Sequence, residues 1–253
     1  MLCQINIPLR SGQNLRYGWS SASVLHGVLM EIISPEYACR MHEQGSRPFH
    51  QAVLRSENTD IWSVSALEEE ACQEILLPLR KLSAVQVHQK QDILYLEDPS
   101  VRQTDYDELL KQHYIYQEPS RLVTLEFQTP TAFKSAGNYV NMPTPRLILS
   151  GLAKRYDMTC QVHETMYEQL FEEIEQRVTI SSYRLQSSYF SLEGIRIPAF
   201  TGSVTMYIAG NATFRSYVNM LCEYAVYSGI GIKTALGMGH VSFRQTERRN
   251  VRG

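Results

Sequence analysis

Gly229-Ile230-Gly231-Ile232-Lys233-Thr234-Ala235-Leu236-Gly237-Met238-Gly239 holds two Gly-x-Gly units separated by five residues, one of them a lysine. Glycine suits backbone that must take φ > 0 or approach another group closely. Spaced this way, the run is expected to form a loop whose N–H groups face an anion, with Lys233 adding a full charge. Neither phosphate-loop motif of the nucleotide-binding proteins fits. A Walker-type loop needs Gly-Lys-Ser/Thr, and Ile232 separates Gly231 from Lys233-Thr234; a dinucleotide fingerprint needs a third glycine where Thr234 stands. Both motifs also put a strand before the glycines and a helix after them. Here the order is reversed. Ala212 to Tyr227 carries Phe214, Val218, Leu221 and Ala225 at i, i+4, i+7 and i+11, the stripe of a helix, and His240 to Arg244 alternates like a strand. A glycine-rich helix cap and turn is the competing reading of the same run.

Upstream, the elements fall into two similar sets. Cys3 to Leu9 alternates as a strand. A helix follows, capped by Ser20 or Ser21, with Leu25, Val28, Leu29 and Ile32 as its buried stripe; Pro35 stops or bends it, and a short helical piece runs to Met41. Arg47 to Arg55 and Asp60 to Ser65 read as strands. Leu67 to Leu82 is a helix with an acidic first turn and a basic end, and Val85 to Leu96 is strand-rich. That is the split βαβ order. Asp98 to Pro119, charged and tyrosine-rich, is a connector with one or two helical turns. The order then repeats: strand Leu122 to Phe127, a loop from Thr129 to Pro145 with three prolines, helices Arg146 to Tyr156 and Glu164 to Glu175, and strands Arg177 to Phe190 and Ile195 to Ala209. The final helix, the glycine loop and the last strand complete it. The expected fold is α+β, with two tandem ferredoxin-like (βαββαβ, RRM-like) domains over residues 1–98 and 121–253 and a connector over 99–120.

A chain of 253 residues is long enough for two such domains, and a net charge of −2 gives no global sign of a polyanionic partner. The charge is uneven. From Arg196 to the end, seven basic residues (Arg196, Arg215, Lys233, Arg244, Arg248, Arg249, Arg252) face two acids (Glu223, Glu247), so 7 − 2 = +5. Acids cluster at Glu68 to Glu70, Asp105 to Glu108 and Glu164 to Glu175. A solvated basic tail is the plain reading; an anionic ligand beside the glycine loop is the functional one. Five scattered cysteines without a C-x2-C pair argue against a disulfide framework or zinc site and for a reducing cytoplasm. Met1 to Leu9 lacks a basic n-region, and no apolar run approaches a membrane span.

The ending as a whole (Phe200-Thr201-Gly202, a helix, then Gly-x-Gly-x5-Gly-x-Gly and a last strand) resembles the C-terminal signature of the CRISPR repeat-processing endoribonucleases of the RAMP superfamily. The resemblance implies a cytoplasmic, metal-independent endoribonuclease that cuts CRISPR precursor RNA within its repeats, leaving a 5′-hydroxyl and a 2′,3′-cyclic phosphate. No cofactor is implied. The implied partners are repeat RNA, subunits of a CRISPR effector complex and a second copy of the chain, with no membrane involved. Two other readings stand beside it: a RAMP subunit that holds guide RNA without cutting, and a ferredoxin-like interaction domain with an ordinary glycine turn.

Metal-free RNA cleavage needs proton transfer, for which histidine is suited, and a cation to stabilise the phosphorane. The window Arg40-Met41-His42-Glu43-Gln44-Gly45-Ser46-Arg47-Pro48-Phe49-His50 offers both. In the family a catalytic histidine sits in this loop, ahead of a basic residue and a Phe. Carried onto Met41-His42-Glu43 and Arg47-Pro48-Phe49, the resemblance nominates His42 as general acid/base and Arg47 as phosphate-stabilising. Some members place a tyrosine three residues after a glycine that matches Gly27; here that position is Met30, which cannot transfer a proton. Tyr37 is a candidate substitute, which no pattern in the sequence singles out. His26, one turn before Met30, rivals His42, and His50 is a third candidate, whereas His88, His113, His163 and His240 read as ordinary core or surface residues. No H-x-H or H-E-x-x-H spacing occurs, so no metal site is expected. For RNA binding the candidates are Gly229, Gly231, Lys233, Gly237, Gly239, Arg244 and Lys134, the last in a Pro130-Thr131…Phe133-Lys134 turn like one in relatives; Arg248 and Arg249 are further phosphate candidates.

Overall fold

The computed structural model describes residues 1–43, 47–57, 59–160, 166–192 and 194–245, without the side chains at 42 and 43. Strand β1 (Leu2–Ser11) is the centre of the first sheet. Its Cys3, Ile5, Ile7 and Leu9 point into one core, as the period of two requires. Along one edge β1 pairs antiparallel with β3 (Asp60–Ala66), which pairs in turn with β2 (Phe49–Arg55). Its other edge is shared: β6 (Ser100–Thr104) takes Leu2 to Asn6, and β5 (Asp92–Leu96) takes Leu9 to Ser11, with β4 (Ala84–Val87) beyond β5. Pro8 lies between the two pairings, where the missing N–H leaves no ladder bond unmade.

The core over this sheet is closed by α1 (Ala22–Ile32) and by a second helical region made of α3 (Glu69–Ala71), a π-helical stretch (Cys72–Leu76) and α4 (Leu77–Leu79). The stripe of α1 is as expected at Leu25, Val28 and Leu29. Ser21 holds the N-cap position as expected, but it ends a 3-10 turn (Trp19–Ser21) that leads into the helix and makes no side-chain cap bond. Pro35 starts a second helix, α2 (Pro35–Glu43), in the first-turn position that proline favours; the Ser34 hydroxyl accepts the Tyr37 N–H at 3.3 Å.

The second sheet has the order β10-β11-β7-β12, built from β7 (Leu122–Thr131), β10 (Val178–Leu192), β11 (Ile195–Ile208) and β12 (Val241–Gln245). In the second half the second, third, first and fourth strands of a βαββαβ unit lie side by side, and in the first half β2, β3 and β1 take the same order with the β4–β5 hairpin in the fourth place, so the two ferredoxin-like folds expected are present. Two stretches differ from expectation. The presumed connector contributes β6 to the first sheet, then α5 (Tyr106–Lys111) and a π-helical stretch (Gln112–Tyr116). β6 is exposed on both faces, so only its pairing with β1 makes it a strand. The proline-containing loop after Phe127 holds the end of β7 and a hairpin, β8 (Phe133–Ser135) and β9 (Asn138–Val140), turned at Ala136 and Gly137 with φ of 46° and 83°.

Helices α6 (Pro145–Cys160), α7 (Tyr167–Arg177) and α8 (Ala212–Ser228) complete this half. Asn211 caps α8, its side-chain oxygen accepting the Phe214 N–H at 2.9 Å. The expected stripe (Phe214, Val218, Leu221, Ala225) is buried, but so are Met220, Cys222, Tyr224 and Tyr227. A helix buried nearly all round sits between layers. One face of α8 covers its own sheet and the other meets β1, β2 and β3 of the first. The Gln4 amide confirms the docking, donating to Ser65 Oγ at 3.1 Å and to the Val226 carbonyl at 3.2 Å. Among the described residues no helix is long and apolar enough to cross a membrane.

Candidate functional site

The glycine run lies where the two halves meet, along the outer edge of β2. All four glycines have positive φ. At Gly237 (φ 107°) an added Cβ would lie 2.1 Å from Ala22 Cβ, and at Gly239 (φ 75°) 2.0 Å from the Ile230 carbonyl oxygen. Close approach of protein to protein therefore accounts for glycine at these two positions. Gly237→Ala is expected to cost about 2 kcal/mol or more through backbone strain and overpacking. Thermal unfolding should register it as a drop of several degrees in Tm. An unchanged Tm would mean that α1 and the loop are not in contact.

Seven N–H groups of the run bond within the protein. The Gly229, Leu236, Gly237 and Met238 N–H donate to local carbonyls, Ile230 to Gly239, Ile232 to Ala132 and Gly239 to Pro130. The expected loop of outward N–H groups is thus reduced to four residues: Gly231, Lys233, Thr234 and Ala235 donate to no acceptor among the described residues. These four line a cavity of about 400 Å³ together with Arg47, Gly151, Lys154, Arg155 and Met158. Four cations, from both halves, converge there, and no carboxylate is among the lining residues. Burial pulls the guanidinium groups of Arg47 and Arg155 down from the usual arginine range. An anion entering the cavity would relieve that cost.

Arg47 opens β2. Its Nη1 is 2.7 Å from Nε2 of His26, which α1 presents and the Phe49 ring flanks at a centroid distance of 5.9 Å. Arginine only donates, so Nε2 accepts, and the imidazole is neutral with its proton on Nδ1. Among the described side chains, His26 is the histidine that lies against Arg47. His42 lies in the last turn of α2, and its side chain is outside the described residues. Tyr37 is buried in the first core, its phenol pushed up by burial and by Glu68, Glu70 and Glu74. It is far from the role of a surface acid.

His50 is fully buried. Its Nδ1–H donates to the Thr234 carbonyl at 2.8 Å, so its Nε2 must accept the Nδ1–H of His240, 2.9 Å away. One imidazole comes from each half of the molecule, and burial lowers the pKa of both, His240 to about 4. A neighbouring tie comes from Gln51, whose amide donates to the carbonyls of Ala22 at 2.8 Å and Ala235 at 3.1 Å while accepting the Trp62 indole N–H.

The other nominated residues are dispersed. Gly231 and Lys233 are exposed at the cavity, whereas Gly229, Gly237 and Gly239 are buried. Lys134 is exposed on β8, while its neighbour Phe133 packs on Phe200. Arg244, on β12, lines a separate groove with Glu126 and Arg184. Arg215 is consumed by the carbonyls of Pro119 and Gly210. Arg248, Arg249 and Arg252 lie outside the described residues. The excess charge of the C-terminal segment therefore forms no single patch among the described residues. Lys154 and Arg155 were not nominated. Their signal was a second face of α6, where Gly151, Lys154, Arg155 and Met158 recur at i, i+3, i+4 and i+7.

Residues 125–241 match the family model for the CRISPR-associated endoribonuclease Cas6. The chain is 31% identical over 220 residues to a Streptococcus thermophilus protein of that description, covering 87% of this chain and 90% of the relative. It is 34% identical over 220 residues to one from Mycobacterium tuberculosis, covering 86% and 69%. Among solved structures, a Cas6 product complex superposes with a TM-score of 0.78 at 24% identity, over 96% of this chain and 99% of the other.

Proposed function

This chain belongs to the family of CRISPR-associated endoribonucleases Cas6, and from that premise we propose that it binds CRISPR precursor RNA and cuts within each repeat without a metal ion. The observation that carries the reading is the cavity at the domain junction, with Arg47, Lys154, Arg155 and Lys233 around it and the neutral His26 imidazole against Arg47. In the proposed step the 2′-oxygen bonds to phosphorus and the bond from phosphorus to the 5′-oxygen breaks. His26 Nε2 takes the 2′-hydroxyl proton once Arg47 has exchanged its contact with that nitrogen for the phosphate. The leaving 5′-oxygen takes a proton from a general acid, for which His42 is the candidate. Arg47 stabilises the phosphorane charge. The products are a 2′,3′-cyclic phosphate and a 5′-hydroxyl.

Lys233, Lys154 and the backbone at Gly231 are proposed to hold the flanking phosphates. Gly229, Gly237 and Gly239 shape the loop from within, and Arg244 and Lys134 meet RNA farther from the cut. The proposal extends to cytoplasmic location and to protein partners, namely effector-complex subunits and a second copy of the chain.

The test is incubation of repeat RNA with pure protein in excess chelator, from about pH 6 to 9, where a histidine base changes protonation. A single cut with a cyclic-phosphate end is expected. RNA that is bound yet intact at every pH would replace this reading with that of a RAMP subunit that holds RNA without cutting it.

A further inference from the structure

Arg155 stands apart from the other cations of the cavity. Its Nη2 donates to two carbonyls on the free edge of the β2 segment, Arg47 at 3.2 Å and Phe49 at 3.1 Å. Its Nη1 donates to Thr234 Oγ1 at 2.5 Å, next to Lys233 in the glycine loop. One planar group on α6 thus grips the residue that opens the first half's edge strand and the loop of the second half. A guanidinium fork suits this arrangement because its donors diverge in a fixed plane, which an ammonium cannot reproduce. Among the described residues no carboxylate lies within ion-pair distance, and Nε is buried without a hydrogen-bond partner. The missing counter-charge leaves the positive field of the cavity intact.

We propose that Arg155 is a positioning residue of the nuclease, a strut that fixes the distance between Arg47 and Lys233 across the domain junction. The inference rests on the cleavage reading above. Arg47 and Lys233 come from different halves, so their spacing decides whether the scissile phosphate and its neighbour are held together. A misplacement of about 1 Å in such a clamp can lower a rate about 100-fold. Arg155 itself makes no contact with the reacting atoms in this account.

The experiment compares the unaltered protein with Arg155→Lys and Thr234→Val, measuring single-turnover cleavage of repeat RNA, RNA affinity and Tm. Lysine keeps the charge and loses the fork; valine keeps the loop's shape and removes one acceptor. For both variants a fall of about tenfold or more in cleavage rate is expected, with affinity within about threefold of the unaltered protein. Cleavage by Arg155→Lys at the unaltered rate would overturn the inference, as would equal losses of rate and affinity that track a collapse in Tm. If Arg155→Lys does not fold, Thr234→Val alone decides by the same split. Absence of cleavage by the unaltered protein would instead overturn the reading on which the inference rests.

Discussion

Replacement of His26 by alanine is expected to slow repeat-RNA cleavage by about 10²–10⁴-fold, the usual contribution of a positioned proton-transfer group. RNA affinity should change little. The expectation follows from the 2.7 Å contact in which Arg47 donates to Nε2. The arginine donates to the Nε2 lone pair, and binding of a phosphate to that cation would free the lone pair where it is needed. Arg47→Ala should be as damaging to rate and should also weaken binding, since it removes both the phosphate contact and the group that orients His26. His42→Ala completes the set. If His26→Ala cleaves at the unaltered rate while His42→Ala does not, the base is on α2 and the present assignment is wrong. A loss with both variants identifies the two as base and acid, and a bell-shaped pH–rate profile should then lose one limb in each.

The second large effect is on stability in acid. His50 and His240 are neutral, buried and hydrogen-bonded to each other across the domain junction. Their folded pKa values lie below the unfolded histidine value of about 6.5, so the unfolded chain binds more protons at intermediate pH. Stability is therefore fully present above about pH 6.5 and is lost as pH falls toward the folded value. For His240, with a folded pKa of about 4, the loss is about 3 kcal/mol over that window and about 2 kcal/mol by pH 5. His50 adds to it in the same direction. The groups facing the pair are Arg155, which disfavours a further positive charge, and the Thr234 carbonyl, which favours it. Denaturant unfolding at pH 6.5, 5.8 and 5 measures the slope before most carboxylates titrate. In His240→Asn the slope should fall by one proton's worth, and an unchanged slope would show that the imidazole is charged or exposed in the native protein.

The sequence carries the fold wherever a periodic apolar pattern coincides with an element. The stripes of α1 and α8 and the alternation of β1 were legible for that reason, and the element order then implied the strand order of both sheets. Ser100–Thr104 carried no such pattern. Its side chains are exposed on both sides, and a strand formed only by a distant partner leaves no mark on its own residues. The second buried face of α8 was also hidden, because Tyr227 and Val226 meet Arg102 and Gln4 of a sheet contributed from the other end of the chain. At the site, Arg47, His26 and Lys233 could be nominated from local context. Arg155 could not, since its role depends on three segments that meet only in the folded molecule. Gly231 lines the cavity as a ligand-facing glycine would, whereas close packing against Ala22 and Ile230, which no local pattern shows, requires glycine at 237 and 239.

The helix shared by both sheets has a mechanical consequence. With α8 wedged between the halves, the junction cannot open or shut as a jaw without exposing Tyr227, which packs against Arg102 of β6, to water. The cleft proposed to admit the phosphodiester is thus cast when the chain folds: hinge opening of the two halves should come only with melting of the whole molecule, and the finer spacing within the cleft is left to side chains such as Arg155.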